Sequence, residues 1–284
     1  MSASGDTANQ QSRDLSDFSG RLLLVGAGKM GSALLDGWLR LGLQAKNVAV
    51  LDPLPSAQIV SLAERGLTLN PELNGLGKAD VIVLAIKPQI AAQAIAPLAP
   101  IVGAATLTVS IMAGRTLRFL ADALGDACAL VRAMPNTPAA IGRGITVAVA
   151  LRASAGQRQL AHRLLGATGA VEWVEDERLM DAVTAVSGSG PAYVFLLAEA
   201  LAQAGVAAGL PPKLAQKLAR ETVAGSGELL HRSPLEAATL RENVTSPGGT
   251  TAAALQVLMA ETGLIPLMRE AVAAAAARSR QLAG

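Results

Sequence analysis

Short apolar runs alternate with segments of helical periodicity along the first two thirds of this sequence. The runs are rich in Leu, Val, Ile and Ala and are apolar throughout, which is typical of strands covered on both faces. Strands that alternate with helices indicate βαβ units and a mostly parallel sheet. The predicted fold class is therefore α/β, with a doubly wound sheet. The predicted strands are Leu22–Val25, Val48–Leu51, Val81–Ala85, Leu107–Ser110, Leu130–Arg132, Ile145–Ala150 and Ala170–Val174.

The sequence changes character after Glu175, where the strand-like runs end and helix follows helix. Ser189–Ala208 is a long apolar segment with a proline in its first turn, and Lys213–Leu230 resumes after a Gly-Pro break. A helix that is apolar all round must be buried on all sides. We therefore expect a disordered tail over residues 1–19 and a first domain over 20–175. We expect an all-helical domain over 176–284 that packs with a second subunit.

Composition excludes several kinds of partner. Only 2% of the residues are aromatic, too few for the stacking platforms that bind single-stranded nucleic acids. The 24 basic and 22 acidic residues nearly cancel, so no basic stripe for duplex DNA is expected. One cysteine, Cys128, and two histidines leave no disulfide framework and no Cys-rich or His-rich metal site. We expect neither a nucleic acid nor a metal as partner.

The sequence carries no obvious targeting signal. Residues 1–19 are polar and lack the apolar core of a signal peptide. Ala-rich stretches such as Ala271–Ala277 are too short to span a membrane and have charged residues on both sides. We expect a cytoplasmic protein that does not enter a membrane.

A glycine-rich turn follows the first predicted strand and opens the first predicted helix. Its sequence is Gly26-Ala27-Gly28-Lys29-Met30-Gly31. In a dinucleotide site the first glycine makes the tight turn, the second lets the backbone approach the pyrophosphate, and the third lets helix and strand pack closely. The helix N-terminus attracts the phosphate charge. This context predicts a nucleotide cofactor, and an ordinary glycine-rich turn is the alternative.

Asp52 lies at the end of the second predicted strand, about 20 residues beyond the glycine motif. A carboxylate there accepts hydrogen bonds from the ribose hydroxyls of NAD and repels the 2′-phosphate of NADP. No arginine follows within Pro53–Ser56 to bind a phosphate. The residue favours NADH, and the alternative is that Asp52 only caps the turn at Pro53.

Two more motifs end predicted strands, where open α/β sheets bind ligands. Ala85-Ile86-Lys87-Pro88 places one positive charge between a strand and a proline. Lys87 is therefore a candidate neighbour of the nicotinamide ribose or phosphate, or else a solvated lysine. Met134–Pro138 contains two prolines and the amide of Asn136, which suits a neutral ring or carboxamide. A stiffened structural turn is the alternative there.

Two motifs lie in the predicted helical domain. Ser187–Tyr193 brings small residues to the start of the long helix, with hydroxyl groups that could cap it. Asn243–Thr251 precedes another predicted helix, Ala252–Ala260. Its two glycines expose backbone N–H groups and its threonines add hydroxyl donors, so the segment predicts a carboxylate site that needs no arginine. An ordinary helix cap would need only one of these residues.

No histidine is placed as a general acid, and no pair of catalytic carboxylates is evident, so a cofactor must perform most of the chemistry. Taken together, the motifs resemble the pyrroline-5-carboxylate reductase family, whose members perform the last step of proline biosynthesis. The resemblance extends from about Arg21 to Ala283. It is carried by Val25–Gly31, Ala85–Pro88, Ser110–Gly114, Met134–Pro138, Ser187–Tyr193 and Leu240–Thr251.

The resemblance implies an oxidoreductase that reduces 1-pyrroline-5-carboxylate to L-proline with NADPH or NADH. It implies a Rossmann-like domain followed by a helical dimerisation domain. The homodimer would have interlocked helices and in this family often assembles into a ring of five dimers. Ser246, Gly248, Gly249, Thr250 and Thr251 would hold the substrate carboxylate across the dimer interface. Thr251 would lie nearest the imine nitrogen as the catalytic hydroxyl, and Asn243 would support the loop. The cofactor-binding residues would be Gly26, Gly28, Lys29, Met30, Gly31, Asp52, Ala85, Lys87, Pro88 and Asn136.

Asp52 departs from the pattern, because members of the family commonly prefer NADPH. Two other functions stay open. One is a related imine or β-hydroxyacid reductase. A β-hydroxyacid enzyme would be expected to place a catalytic lysine on the long helix, and Ser189–Ala208 contains none. A non-catalytic protein that senses dinucleotides would leave the Pro-Gly-Gly-Thr-Thr segment unexplained.

Overall fold

An eight-stranded sheet confirms the α/β prediction in the computed structural model, which describes residues 14–283. Its strand order is β3-β2-β1-β4-β5-β6-β7-β8, with every neighbouring pair parallel except β6 and β7. The prediction of a mostly parallel sheet is therefore confirmed. The strands are β1 (Leu22–Val25), β2 (Val48–Leu51), β3 (Thr68–Leu69), β4 (Val81–Leu84), β5 (Leu107–Ser110), β6 (Ala129–Met134), β7 (Gly144–Leu151) and β8 (Gly169–Trp173).

Helices connect the strands and cover the sheet. Successive residues of β1 belong to two separate hydrophobic clusters: Leu22 and Leu24 to one, Leu23 to the other. Because side chains alternate along a strand, the two clusters lie on opposite faces, as the uninterrupted apolar runs predicted. The helices are α1 (Lys29–Arg40), α2 (Ala57–Ala63), α3 (Leu73–Leu76), α4 (Ala91–Ile95), α5 (Leu117–Leu124), α6 (Ala155–Leu165) and α7 (Met180–Val183).

The helical region that follows contains α8 (Gly190–Ala207), α9 (Pro212–Arg232), α10 (Ala237–Asn243), α11 (Thr250–Leu258) and α12 (Leu264–Ala283). Compact units divide the described chain differently from the predicted domains. One unit contains residues 14–188 and 276–283, and the other is Ser189–Ala275. The predicted boundary, after Glu175, thus lies 13 residues before the boundary between the two units, which follows Gly188. The last turns of α12 return to the first unit, which the sequence did not indicate.

Those last turns make specific contacts within the first unit. The Ser279 hydroxyl donates a hydrogen bond to Asp181 Oδ1 at 2.6 Å, and Ser279 is buried. A Cβ placed on Gly114 would lie 3.3 Å from the Leu282 carbonyl oxygen. The C-terminal segment therefore packs on the turn after β5 and on α7.

Part of the predicted tail is ordered. Residues 1–13 lie outside the described residues, but Leu15 is fully buried and its N–H donates to the Leu41 carbonyl at 2.7 Å. The Arg163 guanidinium binds the Asp17 carboxylate. The prediction of disorder is thus wrong for residues 14–19, because Leu15 has an apolar site on the first unit to fill.

The second unit buries almost no large apolar side chain by itself. Its buried apolar residues are Ala215 and Ala219, whereas Phe195 is 67% and Leu196 62% exposed. In the described part of the chain, Glu177–Ala207 is also long and apolar enough to cross a membrane, judged by length and composition alone. Only 6% of its most apolar 18-residue stretch is buried. The sequence reading did not single out this stretch as a possible span.

Candidate functional site

The three glycines of the turn after β1 have three different environments. Gly26 has φ +90°, and a Cβ there would lie 2.7 Å from the Ala85 carbonyl oxygen. A Cβ on Gly31 would lie 2.2 Å from the Gly26 carbonyl oxygen. A Cβ on Gly28 would meet nothing within 4 Å. The first glycine thus makes the tight turn, the third allows close packing, and the second leaves open space beside the backbone, as a bound pyrophosphate requires.

The N-terminus of α1 is open to a ligand. Gly28 is the N-cap residue, and no side chain accepts a hydrogen bond from the first turn. Helix N-termini with free N–H groups attract anions. Lys29 is exposed at the first position of the helix, and Met30 is half-buried beside it. The turn and the helix start therefore fit the pyrophosphate of a dinucleotide.

Asp52 follows β2 and is tied to the glycine turn. Its Oδ2 accepts a hydrogen bond from the Ala27 N–H at 2.7 Å, and its Oδ1 accepts one from the Leu54 N–H at 2.8 Å. The turn cap considered from the sequence is therefore present. The link to Ala27 also brings the carboxylate beside the glycine turn, as a ribose-binding residue requires.

Asn70, just after β3, holds the backbone of Asp52 from the other side. The Asp52 N–H donates to Asn70 Oδ1, and Asn70 Nδ2 donates to the Asp52 carbonyl, each at 2.9 Å. Asn70 has φ +47°, a conformation that asparagine tolerates better than most residues. Sequence reasoning missed this residue, because β3 has two residues and leaves no periodic pattern.

The turn after β4 reaches the same edge of the sheet. The Ala85 N–H donates to the Val25 carbonyl at 2.8 Å, which places Ala85 against the glycine turn. Lys87 is exposed, and Pro88 begins a short 3₁₀ turn. The Arg115 guanidinium donates to the Pro88 carbonyl through Nε at 3.0 Å and Nη2 at 2.7 Å. Arg115 is a second supporting residue that the motifs did not reveal.

Asn136 follows β6 at the same edge. Its Oδ1 accepts a hydrogen bond from the Ile145 N–H at 3.0 Å, so the side chain joins the turn to β7. The 3₁₀ turn Thr137–Ile141 that it precedes also contacts α1. Part of the Asn136 amide therefore has the structural role that was the alternative to cofactor binding.

The Ser187–Tyr193 motif begins in a π-helical turn, Thr184–Gly188. A Cβ on Gly188 would lie 2.4 Å from Met134 Cε, so the small residue allows close packing on β6. The hydroxyl groups do not cap α8 as the sequence suggested. Ser189 is the N-cap residue without a side-chain cap, and the buried Ser187 Oγ has no hydrogen-bond partner among the described residues.

Cys128 lies in the hydrophobic core and not in any of these turns. Its side chain is buried, and burial raises the pKa of its thiol above the usual value. A buried thiol of this kind is poorly reactive. Cys128 therefore packs in the core and is not a candidate site residue.

In the second unit, the segment before α11 forms an uncapped helix start. Gly248 has φ +69°, and the Gly249 N–H donates to the Ser246 carbonyl at 3.0 Å. Gly249 is the N-cap residue of α11 and offers no side-chain acceptor to the first turn. Thr250 is exposed and Thr251 half-buried at the first two helical positions. Backbone N–H and hydroxyl donors therefore gather where a helix favours negative charge.

Thr245 ties this segment to the preceding helix. Thr245 Oγ1 donates to the Arg241 carbonyl at 2.7 Å, and the Thr245 N–H donates to the Glu242 carbonyl at 2.9 Å. Asn243 is exposed at the end of α10. Within the described residues, Thr245 rather than Asn243 thus joins the loop to the preceding helix.

The turns that follow the strands of the first unit fit a bound dinucleotide. Open space beside Gly28, a free helix N-terminus and a carboxylate after β2 are the donor and acceptor set that such a cofactor needs. Asn243, Ser246, Gly248, Gly249, Thr250 and Thr251 are gathered in one segment of the second unit. The structure thus brings the predicted site residues together as two groups, one on each unit.

Comparison with known proteins connects both groups to one family. Residues 177–282 match the family model described as pyrroline-5-carboxylate reductase dimerisation. Residues 21–114 match the model described as NADP oxidoreductase, coenzyme F420-dependent. The pyrroline-5-carboxylate reductase of Pseudomonas aeruginosa is 38% identical over 93% of this chain and 97% of its own length.

Solved structures agree with the sequence comparison. A pyrroline-5-carboxylate reductase from Coxiella burnetii has a TM-score of 0.85 and 32% identity, covering 94% of this chain and 99% of its own. The pyrroline carboxylate reductase of Plasmodium falciparum, solved with NADP bound, has a TM-score of 0.78 and 29% identity, covering 94% and 99%. This chain belongs to the pyrroline-5-carboxylate reductase family.

Proposed function

We propose that this chain reduces 1-pyrroline-5-carboxylate to L-proline, the last step of proline biosynthesis, with NADH or NADPH as the reductant. The observation that carries the proposal is the uncapped start of α11, where Ser246–Thr251 offers several donors and no charged side chain to a small carboxylate. Family membership and the dinucleotide cradle around Gly28 support it.

The reaction adds a hydride to the imine carbon and a proton to the ring nitrogen. A reduced dinucleotide held by the Gly26–Gly31 turn would supply the hydride. A protonated imine is already electrophilic, so the chain's task is mainly to align the reactants. This explains why the chain can function without a general-acid histidine.

Each group of residues has a role in that alignment. Gly26–Gly31 and Lys29 would bind the pyrophosphate, Asp52 the adenosine ribose, and Ala85–Pro88 with Asn136 the nicotinamide end. Ser246, Gly248, Gly249 and Thr250 would bind the substrate carboxylate through N–H and hydroxyl groups. The Thr251 hydroxyl would donate to, or hold a proton at, the ring nitrogen. Hydride transfer requires the cofactor and the substrate to be in contact. Both sets of residues would therefore act in the same reaction.

We infer a cytoplasmic homodimer, with a pentamer of dimers as its further assembly. The family model that matches the helical region supports self-association, and so do the exposed apolar side chains of α8. A partner copy that covers this helix makes a membrane unnecessary to explain its apolar surface. Cell fractionation checks the location, and light scattering checks the assembly.

The decisive experiment mixes the protein with 1-pyrroline-5-carboxylate and either reduced cofactor and follows the loss of absorbance. Turnover with formation of proline is expected. No oxidation of either cofactor would contradict the proposal and favour a protein that only binds dinucleotides.

Variants of Thr251 test the assigned site. Thr251→Val keeps the shape and removes the hydroxyl, and kcat should fall by about 100-fold if that group acts in the reaction. Thr251→Ser restores the hydroxyl and should recover most of the rate. Both variants should bind cofactor normally, and weakened cofactor binding would show that the residue has been misplaced.

A further inference from the structure

The charges around the end of β2 bear on which reduced cofactor the enzyme uses. We propose that Asp52 makes this chain selective for NADH by rejecting the 2′-phosphate of NADPH. The proposal rests on the proposed function, since it concerns the cofactor of that reaction. It names a property of this chain's own residues that family membership leaves open.

The Asp52 carboxylate has a fixed direction. The Ala27 N–H binds one of its oxygens at 2.7 Å and the Leu54 N–H binds the other at 2.8 Å. Each carboxylate oxygen can accept more than one hydrogen bond, so both keep acceptor capacity for the two ribose hydroxyls. The carboxylate therefore needs no rearrangement to receive a ribose.

The backbone of Asp52 is fixed as well. Both backbone hydrogen-bonding groups of Asp52 are paired with the Asn70 amide at 2.9 Å, and the Asn70 N–H donates to the Val50 carbonyl at 2.8 Å. Asn70 keeps a left-handed conformation, φ +47°, in order to do so. Moving Asp52 away from a phosphate would break these bonds together with those to Ala27 and Leu54.

No cation is placed nearby along the chain to offset the repulsion. Pro53–Ser56 contains no basic residue, and α2 has no charged side chain at all. The first basic residue after Asp52 is Arg65, beyond the opposite end of α2. A second carboxylate, Asp36 on α1, accepts a hydrogen bond from Gln58 Nε2 at 2.8 Å. The first turn of α2 therefore adjoins an acidic group, and the segment from Pro53 to Glu64 supplies no basic one.

The start of α2 does not provide a phosphate site either. The Ser56 side chain already accepts a hydrogen bond from the Ile59 N–H, so the first turn is capped within the chain. The fold itself does not exclude the phosphate, because the Plasmodium falciparum relative was solved with NADP. The discrimination proposed here is thus a property of Asp52 and its supports.

Binding measurements on the intact protein test the proposal without relying on turnover. The dissociation constants of NADH and NADPH are measured by fluorescence titration. Those of adenosine 2′,5′-bisphosphate and AMP, which differ only in the 2′-phosphate, isolate the adenosine end. We expect NADH to bind about 10- to 100-fold more tightly than NADPH, the range for one fixed charge pair near a protein surface. The preference should shrink at high salt.

Two variants and a matched control identify the cause. Asp52→Ser should raise NADPH affinity at least about tenfold relative to NADH. Asp52→Asn, which removes the charge and keeps one acceptor oxygen, should shift the ratio in the same direction. Lys29→Ala is the control: it should weaken both cofactors equally, because both carry the same pyrophosphate.

Three results would overturn the proposal. They are equal or tighter binding of NADPH by the wild type, an unchanged ratio in folded Asp52→Ser and Asp52→Asn, and a ratio that changes with Lys29→Ala instead. These outcomes are separate from the failure of the proposed function. A protein that prefers NADH but does not reduce 1-pyrroline-5-carboxylate would contradict the proposed function alone.

Discussion

A single methyl group should have opposite consequences at two glycines of the turn after β1. At Gly28 the space beside the backbone is open, whereas at Gly31 a Cβ would lie 2.2 Å from the Gly26 carbonyl oxygen. Gly28→Ala should therefore cost only about 0.5–1 kcal/mol of stability, for alanine at a helix N-cap. It should weaken NADH and NADPH alike by about tenfold, because the methyl occupies the place of the phosphate. Gly31→Ala should lower the free energy of unfolding by at least about 1–3 kcal/mol.

Thermal unfolding and cofactor titration of the two variants check this contrast. The assignment of the turn would be wrong if Gly28→Ala lost as much stability as Gly31→Ala and kept its cofactor affinity. Gly31→Ala provides the matched control, since it makes the same chemical change three positions along the chain.

Residues of the turns could be predicted from the sequence when their own type explains their position. The glycines after β1 and before α11 have few other reasons to occur in such clusters. The roles of Asn70 and Arg115 could not be predicted, because each depends on a contact with a residue distant in sequence. The same holds for Thr245, whose hydroxyl group binds the Arg241 carbonyl in the preceding helix.

At the scale of elements, an ion pair joins the segment that follows β8 to strand β6. Arg132 on β6 donates to Glu177 Oε1 at 2.8 Å, and the Leu117 N–H at the start of α5 donates to the same oxygen at 2.8 Å. The Arg132 side chain is 6% exposed and that of Glu177 is 29% exposed. Removing the carboxylate would leave a buried guanidinium and a helix N–H without their acceptor.

Glu177→Ala should therefore destabilise the protein by about 3 kcal/mol, the lower part of the range for breaking a buried ion pair. Asp122→Ala is the control, because its pair with Arg118 is exposed, with side chains 60% and 86% accessible. That change should cost about 0.5 kcal/mol or less. Denaturant unfolding of both variants measures the difference, and equal costs would contradict the assignment of a structural role to Glu177.

Element predictions succeeded where hydrophobic pattern decides structure and failed where it does not. The longer strands lie where the apolar runs indicated, since both faces of each must be covered. β3 was missed because its two residues carry no pattern of their own. The order of residues 14–19 was missed because one buried leucine in a polar segment gives no periodic signal.

At the scale of the whole molecule, the second unit lacks an apolar core of its own. Its exposed apolar side chains include Phe195 at 67% and Leu196 at 62%. Phe195→Asp should therefore convert the dimer to monomers or aggregates, because an interface core does not tolerate an unpaired charge. Val60→Asp on α2, where the side chain is 48% exposed, should leave the assembly unchanged.

Sedimentation velocity or light scattering distinguishes the two variants. A dimer that survives Phe195→Asp would place the self-association surface away from α8. The apolar pattern predicted helices that need a partner, and self-association through this surface stays a prediction. The pattern could not indicate which side chains remain exposed in the single chain.

The return of the C-terminal segment to the first unit has a consequence for how the chain acquires its structure during synthesis. Ser279 and Leu282 are synthesised after the whole of α8–α11, yet they pack on Asp181 and Gly114. The surface around Asp181 and Gly114 therefore stays uncovered until the entire helical region has been synthesised. Cutting the gene after Gly188 would yield a fragment that lacks this cover, so the two halves are poor candidates for separate expression.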